Sequence, residues 1–148
     1  MKYLEDFYAG QVFNFRSKPL TKDQIMGFAH EWDPQRLHID EDYAKGIHGG
    51  LIASGFQTML VVFEPVMREL MVGVANIGGI GFNTLRWLRP VFPDEALDIK
   101  LVVDSVTPSR SKPDRGVLKY TLEAFNPAGE KVFSTETPVM IQRGKGNS

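Results

Sequence analysis

The sequence predicts one α+β domain in which a curved antiparallel sheet wraps a long buried helix. Three observations carry this. Apolar residues recur at helical spacing through the first half of the chain. After Gly78-Gly79 the pattern changes to strand-like alternation. Asn126-Pro127-Ala128-Gly129 is then a turn joining the last two alternating runs. A sheet of sequential hairpins must cover its apolar face, and the long apolar helix is the obvious cover.

The elements follow in order. Gln11 to Arg16 reads as a short strand. Thr21 with Gln24 reads as a capping box, and Ile25, Phe28, Ala29 and Trp32 give the helix behind it an apolar face. Pro34 cannot continue that helix and disfavours helical geometry at Asp33, so it should stop near Glu31 or Trp32. Asp40 to Ala44 reads as one short turn. The central helix should begin around Gly50 or Leu51 and be bent or interrupted at Pro65, with Gly73 as its stop. Ile52, Phe56, Met59, Leu60, Phe63, Met67 and Leu70 cover so much of its circumference that it should be buried. Residues 80–90 read as a strand ending at Pro90. Further strands are expected from Leu97 to Val103, from Leu118 to Ala124 and over 131–141, with a polar loop from Ser109 to Gly116.

Composition narrows the function. The 148 residues, 43% of them apolar, suit a single domain over 1–148 with a real core. A net charge of -1 gives no basic footprint for nucleic acid. The absence of cysteine removes disulfides and thiolate zinc sites, and a reducing cytoplasm fits. No apolar signal core follows Met1 to Asp6, and no run approaches the roughly 18 apolar residues that span a bilayer.

The chemistry concentrates in Asp33-Pro34-Gln35-Arg36-Leu37-His38. A carboxylate and an imidazole stand five residues apart across a proline turn, and a glycine-rich helix start follows at Gly49 to Gly55. That supplies an acid, a base and free backbone N–H donors for proton transfer beside a carbonyl. Each residue also has a plainer reading. Asp33 can simply open an Asp-Pro turn, although the negative end of a helix dipole should raise its pKa. His38, between Leu37 and Ile39, can be a packing residue. Gly55 can serve close helix–sheet contact, and Ser54 can be merely small. Trp87 reads as strand structure, with Arg86 and Arg89 facing solvent or a partner subunit. His30, His38 and His48 lack the spacing of a helical zinc pair, and Asp40, Glu41 and Asp42 read as a solvated helix start.

The chain resembles the MaoC-like dehydratases, relatives of the (R)-specific enoyl-CoA hydratases. Three segments carry the likeness: Phe28 to His38, His48 to Gly55, and Leu85 to Val91 with Pro93-Asp94 after it. The resemblance implies a hot-dog fold and reversible hydration of a 2-enoyl thioester, carried by CoA or an acyl-carrier protein. It implies Asp33 and His38 as the catalytic pair and the Gly55 N–H as oxyanion donor, with Ser54 a second substrate-binding candidate. It also implies a homodimer or dimer of dimers and no metal or redox cofactor. Where relatives have Asn-Pro inside the Asp–His motif, this chain has Gln35-Arg36. The rival readings are a non-catalytic acyl-thioester binding or regulatory module and a hot-dog thioesterase.

Overall fold

The computed structural model describes residues 1–144. A 3-10 turn at Leu4–Asp6 precedes β1 (Val12–Arg16). Four helices follow: α1 (Lys22–Trp32), α2 (Arg36–Ile39), α3 (Glu41–His48) and α4 (Gly55–Glu69). The chain then makes β2 (Asn76–Gly79), β3 (Thr84–Trp87), β4 (Asp98–Pro108), β5 (Arg115–Phe125) and β6 (Lys131–Gln142). All six strands form one antiparallel sheet ordered β1-β4-β5-β6-β2, with β3 also pairing β6. This curved sheet around a central helix is a hot-dog fold.

Strand alternation sets the core. Gly116, Leu118, Tyr120, Leu122 and Ala124 of β5 all face inward, and every residue between them is only partly buried. Leu101 and Val103 from β4 and Val139 and Ile141 from β6 complete the inner face, against which α4 sets Val62 and Val66. At the last turn, Asn126 Oδ1 accepts from the N–H groups of Ala128 and Glu130, and Gly129 takes φ 80°.

Several boundaries differ from the sequence reading, each for a local reason. Thr21 and Gln24 do form the capping box of α1, but Trp32 is 67% exposed and adds nothing to its buried face. The turn expected at Asp40 extends to the eight-residue α3, because Asp40 caps it and Gly49 closes it at φ 82°. The central helix begins at Gly55 rather than Gly50 or Leu51. Residues 51–54 are held extended, the Ile52 N–H on the Leu37 carbonyl (3.4 Å) and the Ala53 N–H on the Val91 carbonyl (2.9 Å). Ser54 then caps the helix by accepting from the Phe56 N–H. Pro65 lies inside α4 without ending it, and the helix stops at Glu69, short of Gly73. Of the strand expected over 80–90 only β3 forms, β2 precedes it at Asn76–Gly79, and the two lie end to end along the same edge of β6. Nor is α4 buried all round: Phe56, Leu60 and Met67 are 53%, 56% and 40% exposed, and they form one open apolar stripe.

Candidate active site

Two short breaks in the helical run build the site. Pro34 ends α1, and the Asp33 N–H still reaches the Ala29 carbonyl (2.8 Å), so Asp33 caps the helix with a non-helical backbone. The one-turn α2 then brings His38 back toward it. Both side chains are buried, and His38 Nε2 lies 3.5 Å from Asp33 Oδ2.

Each partner is oriented by a specific contact. His38 Nδ1 lies 2.8 Å from the Ile52 carbonyl oxygen. A carbonyl only accepts, so Nδ1 carries the proton and Nε2 of the neutral ring is a lone pair turned to the carboxylate. Asp33 Oδ2 accepts from the Ser54 hydroxyl (2.7 Å), and Oδ1 accepts from Gln35 Nε2 (2.7 Å). Burial alone would raise the pKa of Asp33. The Ser54 and Gln35 hydrogen bonds outweigh it and hold the carboxyl below its ordinary range, and the charge His38 carries when protonated lowers it further. The helix-dipole argument predicts the opposite sign; it fails because two donors reach the carboxylate from outside α1.

Of the four residues singled out from the sequence, Asp33, His38 and Gly55 line one cleft of about 430 Å³ at the N-terminus of α4. Its walls include Phe56, Trp87, Leu88 and His48. Ser54, fully buried, spends its proton on Asp33 and so acts on the carboxylate rather than as a donor into the cleft. Gly55 is the first residue of α4, and its N–H makes no hydrogen bond among the described residues, which leaves it at the positive end of the helix dipole.

Trp87 is the site residue whose part the sequence did not give. Its Nε1 donates to the Gly55 carbonyl (2.7 Å), and its ring packs edge-on to Phe56. The pairing of β3 with β6 puts Trp87 opposite Phe133, which aims the indole back at α4. The segment Leu85 to Val91 was a signal, but the contact is made across 32 residues. Arg89 pairs with Glu130 at the cleft rim.

A family model described as "MaoC like domain" matches residues 6–124. The chain belongs to the MaoC-like family. The uncharacterized protein YdeM of Bacillus subtilis is 39% identical over 141 residues, covering 95% of this chain and 99% of that one. The crystal structure of a MaoC-like dehydratase from Rhodospirillum rubrum, 31% identical, superposes with a TM-score of 0.84 over 97% of this chain and 99% of that one. The (R)-hydratase PhaJ1 of Pseudomonas aeruginosa shares the fold, with a TM-score of 0.71 at 23% identity over 96% of this chain and 86% of that one. Within this MaoC-like chain, no helix is long and apolar enough to cross a membrane among the described residues.

Proposed function

We propose that this protein reversibly hydrates a 2-enoyl thioester to a 3-hydroxyacyl thioester, with Asp33 and His38 moving the protons. One observation carries the reading. In the neutral tautomer that the Ile52 carbonyl selects, with the proton on Nδ1, two acceptors, Nε2 and Asp33 Oδ2, face each other across 3.5 Å. Two acceptors at that distance repel unless something donates to both. A single water can, and it is then both held and polarised for attack.

In this mechanism the thioester carbonyl meets the free Gly55 N–H, which makes C3 electrophilic. The water oxygen bonds to C3 while His38 Nε2 takes one of its protons. The other water proton stays on the new hydroxyl. The C2–C3 π pair moves toward the thioester, giving an enolate-like oxygen at the helix N-terminus, and the proton on Nε2 is delivered to C2 on the same face. Preorganised donors stabilise that oxygen more in the transition state than in the ground state. Asp33, kept ionised by Ser54 and Gln35, is a poor resting place for a proton and a good counter-charge for the imidazolium. No metal or redox cofactor enters the scheme, and the family membership and the shared (R)-hydratase fold support it.

The acting unit is proposed to be a homodimer. Phe56, Leu60 and Met67 of α4 and Ile77, Ile80 and Phe82 on or beside the outer edge strand are all exposed, and β2 and β3 leave one edge unpaired.

Incubation with crotonyl-CoA is the test. Loss of enoyl absorbance without free thiol is the expected result. Release of free thiol would make the protein a thioesterase, and binding without turnover would make it an acyl-thioester binding module.

A further inference from the structure

A second cavity, of about 510 Å³, lies between the C-terminal half of α4 and the segment running from β2 to Phe82. Phe63 and Met67 form its helical wall, and Tyr120, Thr137 and Val139 are its floor on β5 and β6. α4 contributes a wall to both this cavity and the cleft; β3 bounds the cleft and β2 bounds this cavity, the two strands following one another along the same edge of β6. Phe56 in the cleft and Phe63 in the cavity are seven residues apart on α4, or about 10 Å along its axis.

The floor is not uniformly apolar. Tyr120 and Thr137 are directly opposed in the β5–β6 register, so both side chains come up on the inner face. Tyr120 is 1% exposed, and among the described residues burial alone, with no hydrogen bond, acts on its hydroxyl. Burial pushes its pKa up to about 12, so it is a neutral O–H donor across the physiological range. Thr137 is the reverse. Thr135 commits its proton to the Thr84 carbonyl (2.7 Å), so the 3.2 Å contact between the two threonine hydroxyls is donated by Thr137. The Thr137 oxygen therefore offers only lone pairs. A mainly apolar cavity with a free donor at Tyr120 and free acceptors at Thr137 and at Asn76, whose amide nitrogen is spent on the Met71 and Val74 carbonyls, is the anatomy of a small-ligand site.

These groups select the chemistry. A carboxylate would be desolvated among apolar walls with no cation on the floor to meet it. A plain alkyl chain would leave the phenol a buried donor without a partner. An alcohol donates to Thr137 and accepts from Tyr120. We propose that this cavity receives the distal part of the acyl group and that Tyr120 and Thr137 select a chain bearing a hydroxyl there. The substrate class is then a hydroxylated medium-chain acyl thioester. The inference rests on the thioester reading above, and it assigns a specificity role to residues outside the acid–base pair.

The test uses saturated ligands, which cannot be hydrated, so it is read independently of catalysis. The full-length protein is titrated calorimetrically with decanoyl-CoA and with decanoyl-CoA hydroxylated at successive positions of its distal half. At least one hydroxylated ligand should bind about tenfold tighter than decanoyl-CoA, since a site built to hydrogen-bond a hydroxyl rejects the analogue lacking it. Tyr120→Phe, which keeps the ring, should erase that gap by weakening the hydroxylated ligand. Thr137→Val should narrow the gap, and it serves as the second variant if Tyr120→Phe does not fold. Equal binding of all ligands by the native protein, or a gap that survives both variants, overturns the proposal. Crotonyl-CoA hydration, measured separately, decides the catalytic reading: hydration without a hydroxyl preference defeats the cavity assignment alone. No binding of any acyl-CoA defeats both, the cavity then being only a surface that a second copy covers.

Discussion

The Trp87 indole lies across the backbone of Gly55. Its Nε1 donates to the Gly55 carbonyl at 2.7 Å, and a Cβ added to Gly55 would fall 2.6 Å from its Cε2. The smallness of Gly55 is thus explained by Trp87 before any substrate is considered. Gly55→Ala should displace the indole and destabilise the protein by about 1–3 kcal/mol, the usual cost of overpacking. Turnover should fall with it. The double variant Gly55→Ala with Trp87→Ala should not pay that clash twice: its melting temperature should lie above the sum of the two single losses. Additive melting shifts would show that the two residues are not in steric contact in solution.

Asp33→Asn and His38→Ala should each remove hydration while leaving the fold intact. General acid–base help is typically worth ~10²–10⁴-fold, so kcat should drop by at least that range. Circular dichroism on the assayed samples guards against unfolding. Near-native turnover by either folded variant would refute the pair.

Ser54→Ala should expose the role of the buried hydroxyl. Asp33 loses its donor on Oδ2, and its pKa should rise, because burial is then less opposed. The sign follows from linkage. A carboxyl whose folded pKa is depressed stabilises the fold fully above its unfolded pKa, and that contribution is lost as pH falls through the folded pKa. The variant should therefore be less stable at neutral pH by about 1.5–3 kcal/mol, the range for a hydrogen bond to a charged group. The difference should shrink in acid, below the carboxylate range. Urea titrations of both proteins across that window measure it. A gap independent of pH would mean that Ser54 acts only as the helix cap.

Light scattering should give about twice the 16.6 kDa chain mass. Leu60→Lys, placed in the exposed stripe of α4, should shift the protein toward monomer without unfolding it. An active native monomer at micromolar concentration would remove the dimer from the proposal.

Much of this arrangement was legible in the sequence because it is local. The capping box at Thr21 and Gln24, the Asp-Pro stop of α1 and the alternation of β5 each depend on neighbours a few residues away. The Asp33–His38 approach was also legible, since one proline turn and one helical turn make it. What was hidden depends on distant partners. Leu51 to Ser54 stay extended because Leu37 and Val91 hold their N–H groups, so the glycines at 49 and 50 gave a false helix start. The low pKa of Asp33 needs Ser54, 21 residues on. The opposed pair Tyr120 and Thr137 exists only once the β5–β6 register is known.

The extended segment before α4 has a wider consequence. Ile52 offers its carbonyl to His38, and Ser54, two residues later, offers its hydroxyl to Asp33. A single buried stretch thus aligns both members of the proposed acid–base pair from behind, while the cleft walls Phe56, Trp87 and Leu88 and the cavity floor residues Tyr120 and Thr137 hang on other elements. In the proposed scheme reactivity and selectivity are thereby mechanically separate. Libraries that randomise Leu88 and the floor positions should yield altered acyl preference at little cost to the chemical step, whereas changes at 52–54, or at Trp87 on the Gly55 backbone, should damage every substrate alike.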